Sequence, residues 1–492
     1  DAGCEVRGAD LRPAEYRTVP QIIAPEEVEW VEADLLDADL DALTDGCAAV
    51  IHTAAFVGLS ESYEELAPSN VELTQRLYAA ARAAGARHFV HFSTGAIYRP
   101  GRGLRAEGDP TEPTTDYERT KVDSERIFAD HDDAPTPWTI LRPAHVYGPH
   151  CESMAAGLTT LPPILRNFTP LLPGFSGGTR SSWVHVEDVA AATLAVLGNP
   201  AAYHRAINVA DDTPLGFGEA LTAMTEAYGL KIGPFLPFPS PSVLMTFSPV
   251  VDREYVASTI RTVLRQLWKR IAQRNDLDTP LRPKVDRSVL FYVADDTVLD
   301  NAALRALGWS PKYPALTDGI VETVHWYQEQ GWAPRFDAEA QMRLRDERDA
   351  GVGFAFSQFI TGRWISDDGA DHHVALELEL EFPRVTRADL SGLINGIATF
   401  EGLADDDAAL AGTIELAIFG GKQIRYEFGI ETPDGAYRCE ATAAFSPLKP
   451  ISSLQRLEGR LRNERGEDIG AVELSLDLAE RAVGLLTSFR LL

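Results

Sequence analysis

His88-Phe89-Val90-His91-Phe92 runs directly into Ser93-Thr94-Gly95-Ala96-Ile97-Tyr98, and Tyr117 follows Thr94 by 23 residues. The first five residues read as a strand. Hydroxyl side chains at the carboxyl end of a parallel strand stand where open α/β sheets bind ligands. Tyr117 and Lys121 are four apart on a predicted helix from Tyr117 to Ala129, so they share a face and can reach one site together. A free phenol has a pKa of about 10 and is a poor base at neutral pH; a neighbouring ammonium stabilises the phenolate.

The rhythm on either side of this stretch is that of βαβ units. Strands are expected at Glu5–Gly8, Val28–Glu32, Ala48–His52 and Trp138–Leu141, and a helix over Ser69–Ala84 with Gly85 at its C-terminal cap. The pattern loosens after Arg142, then returns in Trp183–Val186, a helix over Glu187–Leu197 and the strand Ala206–Val209. This predicts a Rossmann-like doubly wound parallel sheet with an inserted substrate lobe at about 150–180 and 210–330. Asp10 ends the run Glu5-Val6-Arg7-Gly8-Ala9. An acidic residue there holds an adenosine ribose about 20 residues after a glycine-rich phosphate loop. Counting back places the first strand, the glycine loop and most of the first helix upstream of Asp1; taken alone, Asp10 reads equally as a turn residue before Pro13. Asp34-Leu35 follows the second strand where an adenine contact would lie. Ala54-Ala55 ends the next strand with side chains small enough to admit a cofactor, and Asn70 opens the following helix either as a cap or as a ligand.

Length and composition bound the rest. The 492 residues suggest roughly three units, and the ordinary hydrophobic (45%) and charged (24%) fractions indicate a globular chain. The net charge of −28 argues against a nucleic-acid partner. Cys4, Cys47, Cys151 and Cys439 are scattered, which predicts neither a metal site nor a disulfide framework and suits a reducing, cytoplasmic setting. The uncharged stretch Ile232–Val251 holds five prolines and cannot be a regular spanning helix. Near Arg335 the pattern changes: residues 1–335 form the α/β unit, 336–350 a charged linker helix, and 351–492 an antiparallel β domain with alternation over Val374–Phe382 and Gly412–Phe419. A small barrel that binds lipid or forms a homodimer is the expectation for this tail. His372-His373, adjacent on a strand, point to opposite faces and read as an exposed pair rather than a metal site.

Across about residues 1 to 335, the chain resembles the extended short-chain dehydrogenase/reductase superfamily, also called the NAD-dependent epimerase/dehydratase family. The resemblance rests on Ala9-Asp10-Leu11, Asp34-Leu35, His52-Thr53-Ala54-Ala55, Asn70, Ser93-Thr94, Tyr117 with Lys121, Arg142-Pro143-Ala144-His145-Val146-Tyr147-Gly148-Pro149, Trp183 to Ala190, and Leu307-Gly308-Trp309-Ser310-Pro311. It implies that Tyr117 is the general acid/base, that Lys121 holds the nicotinamide ribose and lowers the tyrosine pKa, and that Thr94 with Ser93 binds the reacting oxygen. Asp10, Arg12, Asp34, Leu35, Ala54, Ala55, Asn70, Lys121 and Pro143 would line the cofactor, NAD by virtue of Asp10, with NADP left open by Arg12.

Two departures narrow the chemistry. Members that dehydrate nucleotide sugars carry Asp-Glu where this chain has Gly95-Ala96, which disfavours water elimination. His145 stands where the family often has Asn, and both it and His185 read as packing residues. The lobe is apolar around Pro234–Phe238 and Val243–Phe247, and residues 260–271 form a basic amphipathic helix suited either to packing or to peripheral membrane contact. These features are similar to the 3β-hydroxysteroid dehydrogenase branch and imply a lipophilic, sterol-like substrate. A nucleotide-sugar epimerase and a non-catalytic dinucleotide-sensing scaffold are the alternatives.

Overall fold

A computed structural model describes residues 4–11, 28–58, 61–99, 101, 103–130, 135–152, 154–166, 172–238, 254–278, 280–283, 295–336, 352–385, 391–417, 423–432, 435–444, 456–475 and 490–491. Arg12 and the expected 336–350 helix beyond Phe336 lie outside the described residues.

Six parallel strands form the dinucleotide-type core of the first unit among the described residues. β1 (Val6–Asp10) pairs with β2 (Val28–Glu32). β3 (Val50–His52), β4 (Phe89–Phe92), β5 (Trp138–Pro143) and β6 (Arg205–Val209) form a four-stranded sheet in the order β6-β5-β4-β3. Every residue of β5 is buried, as a parallel strand covered on both faces requires. Among the described residues the two sheets share no paired strand. The β1–β2 ribbon is instead tied to the rest through Arg7, whose Nη1 donates to the carbonyls of Leu43 and Asp45 at 3.1 Å, and through Arg76, whose Nη1 reaches Leu36 O at 2.7 Å.

Two helices pack on this core, α1 (Leu73–Ala83) and α2 (Asp116–Ala129). Tyr78 and Phe128 meet Phe89 at ring separations of 5.1 and 5.6 Å, an aromatic cluster that holds both helices to the same strand. Gly85 takes φ +75° just past α1, the left-handed position that the sequence reserves for it.

A third helix, α3 (Val186–Val196), buries Val189, Ala192 and Val196 with Val90, Leu141 and Ile207 of the sheet, and the lobe contributes α4 (Phe217–Ala227), α5 (Glu254–Arg274) and α6 (Leu316–Glu329). His185 caps α3, its Nδ1 accepting from Glu187 N at 3.3 Å, a structural role as expected. Asp188 then accepts from the backbone N–H of Lys312 and Tyr313 at 2.6 and 3.0 Å, which explains why the Trp183–Ala190 and Leu307–Pro311 motifs occur together. The basic helix is a packing element over its described portion. Leu267, Trp268 and Ile271 are buried in the lobe core, so this apolar face is already covered, while Arg265 and Lys269 face outward. No helix among the described residues is long and apolar enough to cross a membrane.

The tail is a closed antiparallel barrel of β7 (Val352–Ser366), β8 (Asp371–Val385), β9 (Ser391–Phe400), β10 (Ala404–Ala417), β11 (Gln423–Thr432), β12 (Gly435–Ala444), β13 (Arg456–Asn463) and β14 (Asp468–Ser475). Each strand pairs with the next, and β7 pairs with both β8 and β14 to close the ring. Leu376, Leu378, Leu380 and Phe382 fill the interior, while the alternating Glu377, Glu379 and Glu381 take the outer face. His372 stacks on Trp364 at 4.5 Å rather than joining His373.

Four histidines in the α/β unit are held uncharged by burial. His52 is pushed down to about 3, with the Lys121 charge adding; His88 and His145 fall to about 4, and His91 lies well below the usual imidazole range. A histidine whose folded pKa lies below its unfolded value contributes stability above about pH 6.5 that is lost as pH falls toward the folded value. The thermal unfolding midpoint should therefore drop as pH falls from about 6.5 to 5. A flat profile across that interval would contradict the buried neutral assignment.

Candidate active site

Helix α2 begins with a capping box that places the site residues. Thr115 Oγ1 accepts from Glu118 N at 3.2 Å, and Glu118 Oε2 accepts from the backbone N–H of Thr114 and Thr115 at 2.6 and 3.2 Å. Tyr117 consequently lies in the first turn, with Lys121 one turn on. Lys121 is 3% exposed, and its Nζ donates to Phe92 O at 3.0 Å, the last carbonyl of β4. The same ammonium lies 5.9 Å from the Tyr117 ring centre. Helix and strand end are thus joined where Ser93 and Thr94 begin.

The electrostatics differ from the expectation in one respect. Burial pushes the Tyr117 phenol up to about 12, with the Glu118 charge adding, and pushes Lys121 down to about 8 against the opposing pull of Glu125. Lys121 does not depress the phenol here, because desolvation dominates and the ammonium is turned to the Phe92 carbonyl. Tyr117 stands as the protonated acid.

Thr94 Oγ1 accepts from Ala96 N at 3.2 Å, capping the turn Gly95–Ile97, and this leaves its hydroxyl proton to donate elsewhere. Ser93 is 7% exposed, and its Oγ has no hydrogen-bond partner. Behind Lys121 two imidazoles face each other at 5.4 Å. Thr74 and Ser124 donate their hydroxyls to Asn70 O and Lys121 O, so each must accept from a histidine: His52 Nε2–H at 3.1 Å and His91 Nε2–H at 3.0 Å.

Asn70 requires correction. It lies in a π-helical turn, Pro68–Glu72, with its amide occupied: Oδ1 accepts from Phe56 N at 2.8 Å, and Nδ2 donates to Phe56 O and Thr120 Oγ1 at 3.1 and 3.0 Å. At 1% exposure it is neither a helix cap nor accessible to a ligand; it pins the loop after β3 to α2. The remaining expected cofactor residues sit at carboxyl ends of strands. Asp10 ends β1; Asp34 is exposed after β2, where it accepts from Leu36 N at 2.9 Å; Ala54 and Ala55 follow β3; Pro143 ends β5. Leu35 packs its side chain against the core beside Leu40 and Leu73. The structure joins Lys121 to the strand end that leads into Ser93 and Thr94, with Tyr117 one turn before it, whereas Asp10 stands on the separate β1–β2 ribbon and Asp34 just beyond it.

Several contributors escaped the sequence reading. Arg142 makes a two-pronged pair with Glu125, at 3.0 Å from Nε and 2.6 Å from Nη2. Glu125 follows Lys121 by four residues, a spacing that could have flagged it. Leu299, from far along the chain, seals the Gly95 turn: a Cβ at position 95 would fall 2.4 Å from Leu299 Cδ1 and 3.2 Å from Pro143 O. On the other side of Leu299 lies a cavity of about 420 Å³ lined by Leu104, Arg180, Asp211, Asp212, Asp296 and Asp300, among others. A larger cleft of about 1310 Å³, beside Trp268 and Trp332, touches none of the reaction-centre residues. Among the described residues no cluster of His, Cys, Asp and Glu could hold a metal ion.

Comparison with known proteins gives a consistent family. The model of the NAD dependent epimerase/dehydratase family matches residues 1–210. A UDP-glucose 4-epimerase of Mycolicibacterium smegmatis is 31% identical over 220 residues, 42% of this chain and 68% of the relative. A 3 beta-hydroxysteroid dehydrogenase/Delta 5-->4-isomerase of Mycobacterium tuberculosis is 27% identical over 248 residues, 47% of this chain and 65% of the relative. A ceramide reductase of Caulobacter vibrioides is 27% identical over 312 residues, 63% of this chain and 83% of the relative. The chain spans less than two thirds of the length of some curated relatives, including the mycobacterial dehydrogenase.

The Gly95–Leu299 contact gives a direct test. Gly95→Ala should lower stability by about 1–3 kcal/mol through overpacking, measured by denaturant unfolding. Placing the same change in a Leu299→Ala background should recover much of the loss, because the added methyl then has room. Additive losses in the double variant would refute the contact.

Proposed function

The chain belongs to the NAD-dependent epimerase/dehydratase family, and on that premise we propose that it is an NAD-dependent oxidoreductase acting on a secondary alcohol or ketone of a lipophilic, sterol-like substrate. The observation that carries this reading is the Lys121 Nζ to Phe92 O hydrogen bond, which sets the Tyr117/Lys121 helix against the Ser93-Thr94 strand end.

The residues present suit a dinucleotide. Ala54 is exposed and Ala55 half-buried at the carboxyl end of β3, so nothing larger than a methyl stands between an incoming group and the backbone. Asp10, Ala54, Ala55 and Lys121 would hold it, and when bound it supplies the hydride acceptor or donor. In the reducing direction, the Thr94 hydroxyl donates to the substrate oxygen and Tyr117 gives that oxygen its proton. Tyr117 is left as phenolate, while Lys121 holds the helix that carries it through the Phe92 carbonyl. In the oxidising direction the same phenolate takes the alcohol proton.

Two relatives support a lipophilic substrate, because the names of the mycobacterial dehydrogenase and the Caulobacter reductase specify a steroid and a ceramide. The cavity beside Leu299 points the same way: Asp296 and Asp300, with Asp212 paired to Arg305, line it together with Arg180, an acidic excess that disfavours a diphosphate. The exclusion of a side chain at position 95 supports the reading that water elimination is not part of the chemistry. The second reading, a nucleotide-sugar epimerase, is favoured by the Mycolicibacterium relative.

With the full-length protein, NADH formation on a panel of hydroxysteroids and other lipophilic alcohols should be observed. Tyr117→Phe should cut kcat by about 10²-fold or more. Turnover of UDP-hexoses without net NADH would select the epimerase instead; inertness on both panels rejects both. Because Lys121 is held at about 8, the rate should fall as pH rises through that value and the ammonium is lost.

A further inference from the structure

We propose that Arg142 is a positioning residue that latches Tyr98 and residues 105–107 to the helix carrying Tyr117 and Lys121. Only the kinetic half of this proposal rests on the oxidoreductase reading.

The guanidinium is 7% exposed at the carboxyl end of β5, and its donors divide between two directions. Nε and Nη2 grip both oxygens of Glu125 on α2, at 3.0 and 2.6 Å. Nη1 turns the opposite way, donating to Tyr98 Oη at 2.8 Å and to Glu107 O at 3.0 Å. Tyr98 passes its own proton to Asn208 Oδ1 at 2.6 Å. Asn208 on β6 then binds the far end of the segment, donating from Nδ2 to Arg105 O and from its backbone N–H to Glu107 Oε1, both at 3.0 Å. The segment starts four residues after Thr94, and Leu104 lines the cavity that Leu299 shares. Tyr117, Lys121 and Glu125 recur every four residues, so a hold on Glu125 orients the same face of the helix.

A point charge cannot replace this fork. Lysine at position 142 would keep the attraction to Glu125 but could not also span to Tyr98 and Glu107. The two halves of the latch are therefore separable: Arg142→Lys releases the segment, and Glu125→Gln weakens the grip on the helix.

Amide hydrogen exchange of the full chain, read by mass spectrometry, tests the latch without any substrate. In Arg142→Lys, amides of Tyr98, Arg99 and residues 105–107 should exchange about tenfold faster while those of Asp116–Ala129 keep wild-type rates; in Glu125→Gln the helix should be the part that loosens. Tyr98→Phe removes the hydrogen bonds from Arg142 and to Asn208 while sparing the Arg142–Glu125 pair, and it should speed exchange of the same residues should Arg142→Lys fail to fold. On a turned-over substrate, Arg142→Lys should raise KM about fivefold with kcat little changed, and Glu125→Gln should lower kcat. Wild-type exchange at Tyr98, Arg99 and 105–107 in the folded lysine variant, or in Tyr98→Phe where the lysine variant does not fold, overturns the proposal, as does a uniform rise over the whole protein. If the wild-type enzyme turns over none of the substrates, the oxidoreductase reading fails and the exchange rates alone decide the latch.

Discussion

One buried ammonium organises the reaction centre. Lys121 Nζ, removed from water and donating to the terminal carbonyl of β4, obliges helix α2 to sit at a single height against the sheet. Burying a charge is costly unless it is hydrogen-bonded, so this contact is not freely exchangeable for another. From it follow the place of Tyr117, set one turn earlier by the capping box, and the proximity of both residues to Ser93 and Thr94.

The two imidazoles behind Lys121 are polar but uncharged. His52 and His91 are kept neutral by burial and by the same ammonium, and their Nε2–H groups are spent on Thr74 and Ser124. The structure thus provides hydrogen-bonding partners on two helices without adding a second buried charge. Lys121 loses part of its affinity for a proton, Tyr117 holds its proton more tightly, and the pair is arranged as an acid with a cation beside it. Arg142 is the other buried cation near this helix, and it is compensated in the opposite manner, by a full carboxylate and two oxygen acceptors.

Much of this was legible in the residues. The strand at His88–Phe92, the helix from Tyr117, the cap at Gly85 and the alternation over Val374–Phe382 depend on local periodicity and turn chemistry, and each stands close to where expected. The amphipathic helix was ambiguous for a physical reason: the same apolar stripe suits a membrane or a protein core, and only its neighbours show that Leu267, Trp268 and Ile271 are already covered. Asn70 was misread because its type suits a cap, whereas its three hydrogen bonds reach residues 14 and 50 positions away. Leu299 carries no chemical signal at all; its role exists only because the chain returns to Gly95 two hundred positions later.

What the sequence determined by itself is therefore what short-range patterns can encode: the βαβ rhythm, the shared helical face of Tyr117 and Lys121, the hydroxyls at a strand end, and a β-rich tail. Tertiary structure alone decided the charge states of the centre, the closure of the tail into a ring, the covered face of the basic helix and the division of Arg142 between two segments. The physical reason is that desolvation and hydrogen-bond partnership belong to assembled surroundings. A residue's pKa and its free donors are set by groups that the chain brings close only once it has folded.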